Sequence, residues 1–154
     1  MNADFVNPFL ESVIKVLTTM ASIEAKPGKP SVKQDDVARG DVTGIIGMAG
    51  QQTKGSFAIT FTETAIFKIA AQMVGDHPAE VDESVTDLVG EITNMATGGA
   101  KAIFEQKGYD FDMAIPAVVA GKDHRIVHKS TGPKLILPFA TDAGEFFVEI
   151  CFEH

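Results

Sequence analysis

The sequence predicts an α+β fold: a mostly antiparallel sheet of about six strands with two long helices packed on one face. Two observations lead to this fold class. Two long segments carry apolar residues at the i, i+3, i+4, i+7 spacing of a helix that buries one stripe. About six short segments are rich in β-branched or aromatic residues, and strands linked by short turns of this kind pair antiparallel.

The composition fits one globular domain over residues 1–154. Hydrophobic residues make up 45% of the chain and charged residues 22%, which excludes a disordered protein. The single cysteine, Cys151, excludes a disulfide framework within the chain. No apolar run approaches the ~20 residues that span a bilayer, and the first residues lack the pattern of a signal peptide. We therefore expect a cytoplasmic protein that does not bind a membrane.

The charge of the chain argues against nucleic acid as a partner. The net charge is −8, and the 13 Lys and Arg residues are scattered rather than clustered. Phosphate backbones favour basic patches, which this sequence does not contain. An acidic surface of this kind suits docking against a locally basic protein surface.

The first half of the chain is predicted to contain a helix, strands and a short helix. The first helix runs from Phe5 to about Ile23 and ends before the turn Lys26–Pro30, which contains two prolines and a glycine. The predicted strands are residues 32–37, 42–46 and 56–61, the last two forming a hairpin. A short helix capped by Thr62 or Thr64 follows.

The second half repeats the order of helix and strands. A long helix is predicted from about Val81 to Lys107, with Asp82 or Ser84 as a cap at its start and Gly108 at its end. The predicted strands are residues 114–120, 134–140 and 145–153. A helix followed by three strands thus occurs twice. This order suggests an internal duplication, although the halves share no convincing sequence.

The long helix has an outer face that does not serve the core. Its apolar residues fall on one side of a helical wheel, and Glu91 and Asn94 project together from the opposite side. The other residues on or beside this outer face are Asp87, Gly90, Thr97, Gly98 and Lys101. A glycine inside a helix costs about 1 kcal/mol relative to alanine, so a helix serving only the core would not need several. Small residues around a polar pair allow another backbone to approach, and we predict that this face binds a partner.

The segment Asp87–Ala100, DLVGEITNMATGGA, contains Glu91 and Asn94 as an E-x-x-N motif. In this motif, and over its whole length in the order of elements and the strand-rich ending, the chain resembles the CheX branch of the CheC/CheX/FliY family of chemotaxis phosphatases. The signature of that family maps onto Glu91 and Asn94. The first helix has no second E-x-x-N, since Glu11 is followed by Ser-Val-Ile. This departs from the two-site pattern of CheC and suits the single-site CheX branch.

The resemblance implies a phosphatase that hydrolyses the aspartyl phosphate of a CheY-like response regulator. Asn94 would orient the attacking water, and Glu91 would pair with the active-site lysine of the regulator. No cofactor of the protein's own is implied, because the phosphorylated regulator would carry the Mg²⁺. The alternative is a non-catalytic adaptor or dimeric interaction module that binds a response regulator or another signalling protein. Asn94 favours the enzyme, since an adaptor does not need the carboxamide.

The last predicted strand bears on assembly. It alternates, with Phe147 and Cys151 on its second face, and an exposed edge there would promote aggregation unless it were covered or paired. The family resemblance implies a homodimer, in keeping with such an edge.

Other candidate sites have less support. His124 and His128 have the i, i+4 spacing of a helical metal pair, but nearby glycines predict a loop or a strand. On a strand the two residues would lie about 13 Å apart. We therefore predict no metal site. The segment Gly44–Gly50 lacks the spacing, the lysine and the following helix of a phosphate loop, and its glycines indicate a bulge or a close backbone contact in the sheet.

Overall fold

The computed structural model describes residues 3–51 and 53–153, in which three helices lie against an eight-stranded sheet. The helices are α1 (Ala3–Ala21), α2 (Glu63–Val74) and α3 (Glu83–Gln106). The strands are β1 (Lys26–Pro27), β2 (Ser31–Val32), β3 (Val42–Gly50), β4 (Lys54–Phe61), β5 (Phe111–Met113), β6 (Ala117–Ala120), β7 (Lys134–Thr141) and β8 (Gly144–Phe152). The predicted α+β class is confirmed, whereas the internal duplication stays a prediction.

Two antiparallel hairpins form the centre of the sheet. The hairpins β3–β4 and β7–β8 join through β4 and β8, while β5 and β6 extend the outer edge of β3, and β1 and β2 that of β7. All pairings among the described strands are antiparallel, as predicted. The predicted number of about six strands is wrong. The strand predicted at 114–120 is replaced by β5 and β6 with Pro116 between them, because proline cannot donate to the ladder.

The helices cover one face of the sheet and enclose the core. Alternation along β4 and β8 points residues such as Phe57 and Phe152 towards the helices. On α1, Phe9 stacks on Phe57 with ring centroids 4.9 Å apart, and Phe5 contacts Phe152 at 4.8 Å. The two long helices therefore pack on one face as predicted, with α2 as a third helix. Among residues 3–51 and 53–153, none of the helices combines the length and the apolar character needed to cross a bilayer.

The second face of the sheet is covered by two segments without regular strands, residues 33–39 and 121–130. They hold each other through a single bridge between Val37 and Arg125, and Ala38 packs with Ala58 of the sheet. The prediction of a strand over 32–37 is therefore wrong, because most of that segment lies across the sheet instead of extending it. The last strand, β8, is not the exposed edge considered from the sequence. It lies between β7 and β4, and its Cys151 is buried.

A buried ion pair attaches these covering segments to the sheet. Lys33 Nζ lies 2.7 Å from Glu149 Oε2, and the two side chains are 0% and 1% exposed. Glu149 Oε1 accepts from His128 Nε2 at 3.1 Å, which leaves His128 Nδ1 to accept from the hydroxyl of Ser56. Burial alone would raise the pKa of Glu149, but the hydrogen bonds from His128 and Lys33 hold it below the ordinary value. The carboxylate is thus charged and paired inside the fold.

Candidate active site

The helix that carries the predicted site has well-defined ends. Asp82 caps α3, its carboxylate accepting from Val85 N at 3.1 Å and from the hydroxyl of Ser84 at 2.7 Å. These hydrogen bonds, that from Ser84 first, lower the pKa of Asp82. At the other end Gly108 adopts a positive φ of 89°, which glycine accepts without strain. The predicted bounds of about 81 to 107 agree with the observed helix to within two residues.

Glu91 and Asn94 lie next to each other on the exposed side of α3. Both residues are exposed, and their side chains make no hydrogen bond or ion pair with the described residues. Three residues along a helix bring two side chains onto one face, so the carboxylate and the carboxamide point the same way. The pair is therefore available to a partner, as the sequence predicts.

The residues predicted to surround this pair divide into two groups. Asp87 and Gly98 are exposed, and Gly90 and Lys101 are half-buried, so these four lie on or beside the outer face. Thr97 does not: it is 2% exposed, and its hydroxyl donates to the carbonyl oxygens of Thr93 and Asn94. The prediction that Thr97 lies at the partner surface is wrong, because the helix turns that position towards the sheet.

The described residues do not require glycine at the two outer-face positions, Gly90 and Gly98. A Cβ added at Gly98 would meet nothing within 4 Å, and one at Gly90 would make ordinary contact with Val118 at 3.6 Å. Glycine in a helix interior costs about 1 kcal/mol relative to alanine, and no contact with a described residue offsets that cost at Gly98.

Two other glycines face inward, Gly99 on α3 and Gly44 on the strand β3 that packs against it. At both positions the neighbouring residues leave no room for a side chain. A Cβ at Gly44 of β3 would lie 2.0 Å from Thr93 Oγ1, and a Cβ at Gly99 would lie 2.2 Å from Ser12 Oγ. Ser12 also donates from Oγ to Ala96 O at 2.6 Å. The close contact predicted for the glycines of β3 thus exists at Gly44. Which residues it would join was not predictable from the sequence.

His124 and His128 are both engaged elsewhere in the fold. His124 and His128 both lie in the segment 121–130, outside any helix or strand. His124 donates from Nδ1 to Gly121 O at 2.7 Å and bonds Thr43 through Nε2 at 2.6 Å, while His128 bonds Glu149. Among the described residues, no group of three or more His, Cys, Asp or Glu side chains is arranged to hold a metal ion.

Comparison with known proteins shows the family to which the chain belongs. The family model described as chemotaxis phosphatase CheX matches residues 42–140. The CheY-P phosphatase CheX of Thermotoga maritima is 35% identical over 149 residues, covering 96% of this chain and 94% of the relative.

Solved structures agree with the family in both fold and length. A CheC-like superfamily protein from Shewanella sp. PV-4 is 59% identical, with a TM-score of 0.94 and coverage of 100% of both chains. A CheX chain in the CheX–CheY–BeF3–Mg²⁺ complex from Borrelia burgdorferi is 26% identical, with a TM-score of 0.82, covering 99% of this chain and 100% of that one. Matched in sequence over most of its length and in fold over all of it, the chain belongs to the CheX family of chemotaxis phosphatases.

Proposed function

We propose that this protein hydrolyses the aspartyl phosphate of a CheY-like response regulator, with Asn94 orienting the attacking water and Glu91 docking to the regulator. The observation that carries the proposal is the exposed Glu91–Asn94 pair, whose side chains have no partner among the described residues. The relative from Thermotoga maritima is named a CheY-P phosphatase, which supports the same substrate class.

The chemistry requires little from this protein beyond positioning. In the hydrolysis a bond forms between phosphorus and the water oxygen, the bond between phosphorus and the aspartyl oxygen breaks, and the aspartate leaves as a carboxylate. The protons of the water end on the released phosphate. The transition state is loose, so catalysis is mostly alignment and electrostatics. Asn94 Oδ1 would accept a hydrogen bond from the water and hold it in line, without acting as a base.

Glu91 would fix the register of the complex. Its carboxylate stands one turn before Asn94, and a regulator lysine that pairs with it would bring the phosphorylated aspartate close to the Asn94 amide. Around this pair, Asp87 and Lys101 would contact the regulator, and Gly90 and Gly98 would let its backbone approach. The Mg²⁺ would come with the regulator and neutralise the developing charge on the phosphoryl oxygens. The complex from Borrelia burgdorferi, which contains CheY and Mg²⁺, supports this arrangement.

The docking role predicts the effect of removing the Glu91 charge. Glu91→Gln should weaken binding of a beryllofluoride-activated regulator by about tenfold or more, because the regulator lysine loses its charged partner on complex formation. The Kd can be measured by titration calorimetry. Glu105→Gln, an exposed substitution farther along α3, is the matched control and should leave the Kd unchanged. A Glu91→Gln protein that binds as tightly as the wild type would remove the docking role.

We also propose that two copies form a homodimer through the outer edge of β6. Among the strands that the structure describes, this strand pairs only with β3, and its flank is apolar, since Val119 is 39% exposed and Ile115 is 91% exposed. An unpaired apolar edge is a template for another strand.

Light scattering tests this assembly against the chain mass of 16.4 kDa. The wild type should have twice that mass, and Val119→Lys should give a monomer, because a charged edge residue opposes strand pairing. Val127→Lys, at a 64% exposed position in the segment 121–130, is the control and should stay dimeric. A monomeric wild type would refute the dimer, and a dimeric Val119→Lys variant would refute the β6 edge.

Turnover separates the enzyme from the adaptor. A phosphatase present in substoichiometric amount speeds the loss of phosphate from the regulator, whereas an adaptor either protects the phosphate or has no effect.

A further inference from the structure

Helix α3, which carries Glu91 and Asn94, is contacted from two sides by buried residues of other elements. From the sheet, Gly44 of β3 lies directly against Thr93, the residue before Asn94. From the first helix, Ser12 of α1 lies against Gly99 and donates a hydrogen bond to Ala96 O at 2.6 Å. Ser12 is 4% exposed and Thr93 is fully buried. Both contacts are therefore inside the protein.

Each contact leaves no space for adjustment. An added Cβ at Gly44 would lie 2.0 Å from Thr93 Oγ1 and 3.1 Å from Thr93 Cβ. The Thr93 hydroxyl is itself held, because it donates to Val89 O at 2.7 Å. Because the severe clash is with this held hydroxyl, a larger residue at position 44 would break its hydrogen bond or push α3 away from the sheet. The contact at Gly99 is similarly tight: an added Cβ there would lie 2.2 Å from Ser12 Oγ and 3.2 Å from Ser12 Cβ.

The two contacts lie at different angles around the helix. With 3.6 residues per turn, positions 93 and 99 are about 120° apart around the axis, and Asn94 projects from the remaining, exposed side. Two supports at such an angle oppose rotation of α3 about its own axis. At about 6 Å from that axis, a rotation of about 10° would displace the Asn94 amide by about 1 Å. A misplacement of that size can lower a rate by about hundredfold.

We propose that Gly44 and Ser12 are positioning residues that set the rotation of α3 and so aim Asn94 and Glu91 at the regulator. The proposal rests on the proposed phosphatase function for its catalytic consequence. Its structural content is a fixed orientation of α3, which can be measured without any substrate.

The test is a compensation cycle. Gly44→Ala should lower kcat by about tenfold or more, and Thr93→Ala, which removes the hydroxyl and methyl groups from the contact, should restore most of that activity in the double variant. Gly47→Ala is the matched control on the same strand, since a Cβ there meets nothing within 4 Å, and it should keep full activity. The side-chain amide resonance of Asn94, identified by its loss in Asn94→Ala, should shift in Gly44→Ala and return in the double variant.

The outcomes separate this proposal from the proposed function. A Gly44→Ala protein with wild-type kcat and an unmoved Asn94 resonance would overturn the positioning role, as would a double variant no more active than Gly44→Ala. If the wild type does not hydrolyse the phosphorylated regulator, the phosphatase function fails. The Asn94 amide resonance, compared among the wild type, Gly44→Ala and the double variant, still shows whether Gly44 sets the orientation of α3. If Gly44→Ala does not fold, Gly99→Ala with Ser12→Ala provides the same cycle at the second contact, with the same expected loss and recovery.

Discussion

Asn94→Ala should lower the rate of regulator dephosphorylation at saturating regulator by about hundredfold, which corresponds to about 2.7 kcal/mol of lost transition-state stabilisation. The carboxamide is exposed on α3 and has no partner among residues 3–51 and 53–153, so its removal should delete only the group that we propose to orient the water. Alanine is a better helix former than asparagine, and α3 should remain folded. Phosphate release from a purified, phosphorylated regulator measures the rate.

Binding separates this effect from simple loss of the complex. The Kd for the beryllofluoride-activated regulator should change little in Asn94→Ala, because an interaction made only in the transition state lowers kcat without weakening the ground-state complex. Gln106→Ala removes a carboxamide at an exposed position at the end of the same helix, and this control should keep wild-type activity. Full activity in Asn94→Ala would refute the role assigned to the carboxamide.

Lys33→Met should lower the free energy of unfolding by about 3–5 kcal/mol, because it leaves the buried carboxylate of Glu149 without its main counter-charge. Lys33 and Glu149 are 0% and 1% exposed, so water cannot replace the lost ammonium group. The change also removes one of the contacts that attach the segment 33–39 to the second face of the sheet. Urea denaturation followed by circular dichroism measures the free energy.

Two further variants identify the buried charge as the cause. Adding Glu149→Gln to Lys33→Met should recover part of the lost stability, since the neutral side chain still accepts from His128 and no charge remains buried. Arg39→Met breaks the exposed pair with Asp35, whose side chains are 37% and 50% exposed, and should hardly change the urea midpoint. If Lys33→Met unfolds at the wild-type urea concentration, the pair contributes no net stability.

The features that could be predicted from the sequence are those encoded by local periodicity. The 3.6-residue repeat located α3, and the spacing of Glu91 and Asn94 placed both on its outer face. Thr97 was misplaced because it lies at the margin of that face, where the sheet and not the helical wheel decides burial. The cap of α2 shows the same limit. Thr62 occupies the N-cap position without a capping hydrogen bond from its side chain, and the N–H of Glu63 donates to Asp41, far away in the chain.

The features that could not be predicted depend on pairings between distant residues. The alternation of β8 does not show that it lies in the middle of the sheet. That position depends on its pairing with β4 and β7, which the sequence of β8 alone does not specify. The ion pair of Lys33 with Glu149 and the contact of Ser12 with Ala96 join residues far apart in the chain. The sequence therefore predicts the exposed pair of the site, whereas the contacts that hold α3 appear only in the folded chain.

The most direct test of the central claim is turnover on a phosphorylated CheY-type regulator. The regulator is charged with acetyl phosphate in the presence of Mg²⁺, freed of the phosphodonor, and mixed with a small fraction of an equivalent of this protein. We predict that phosphate is released faster than from the regulator alone, in proportion to the added protein, with many phosphates released per molecule. An unchanged or slowed release, or an effect that ends at one phosphate per molecule, would contradict the phosphatase function.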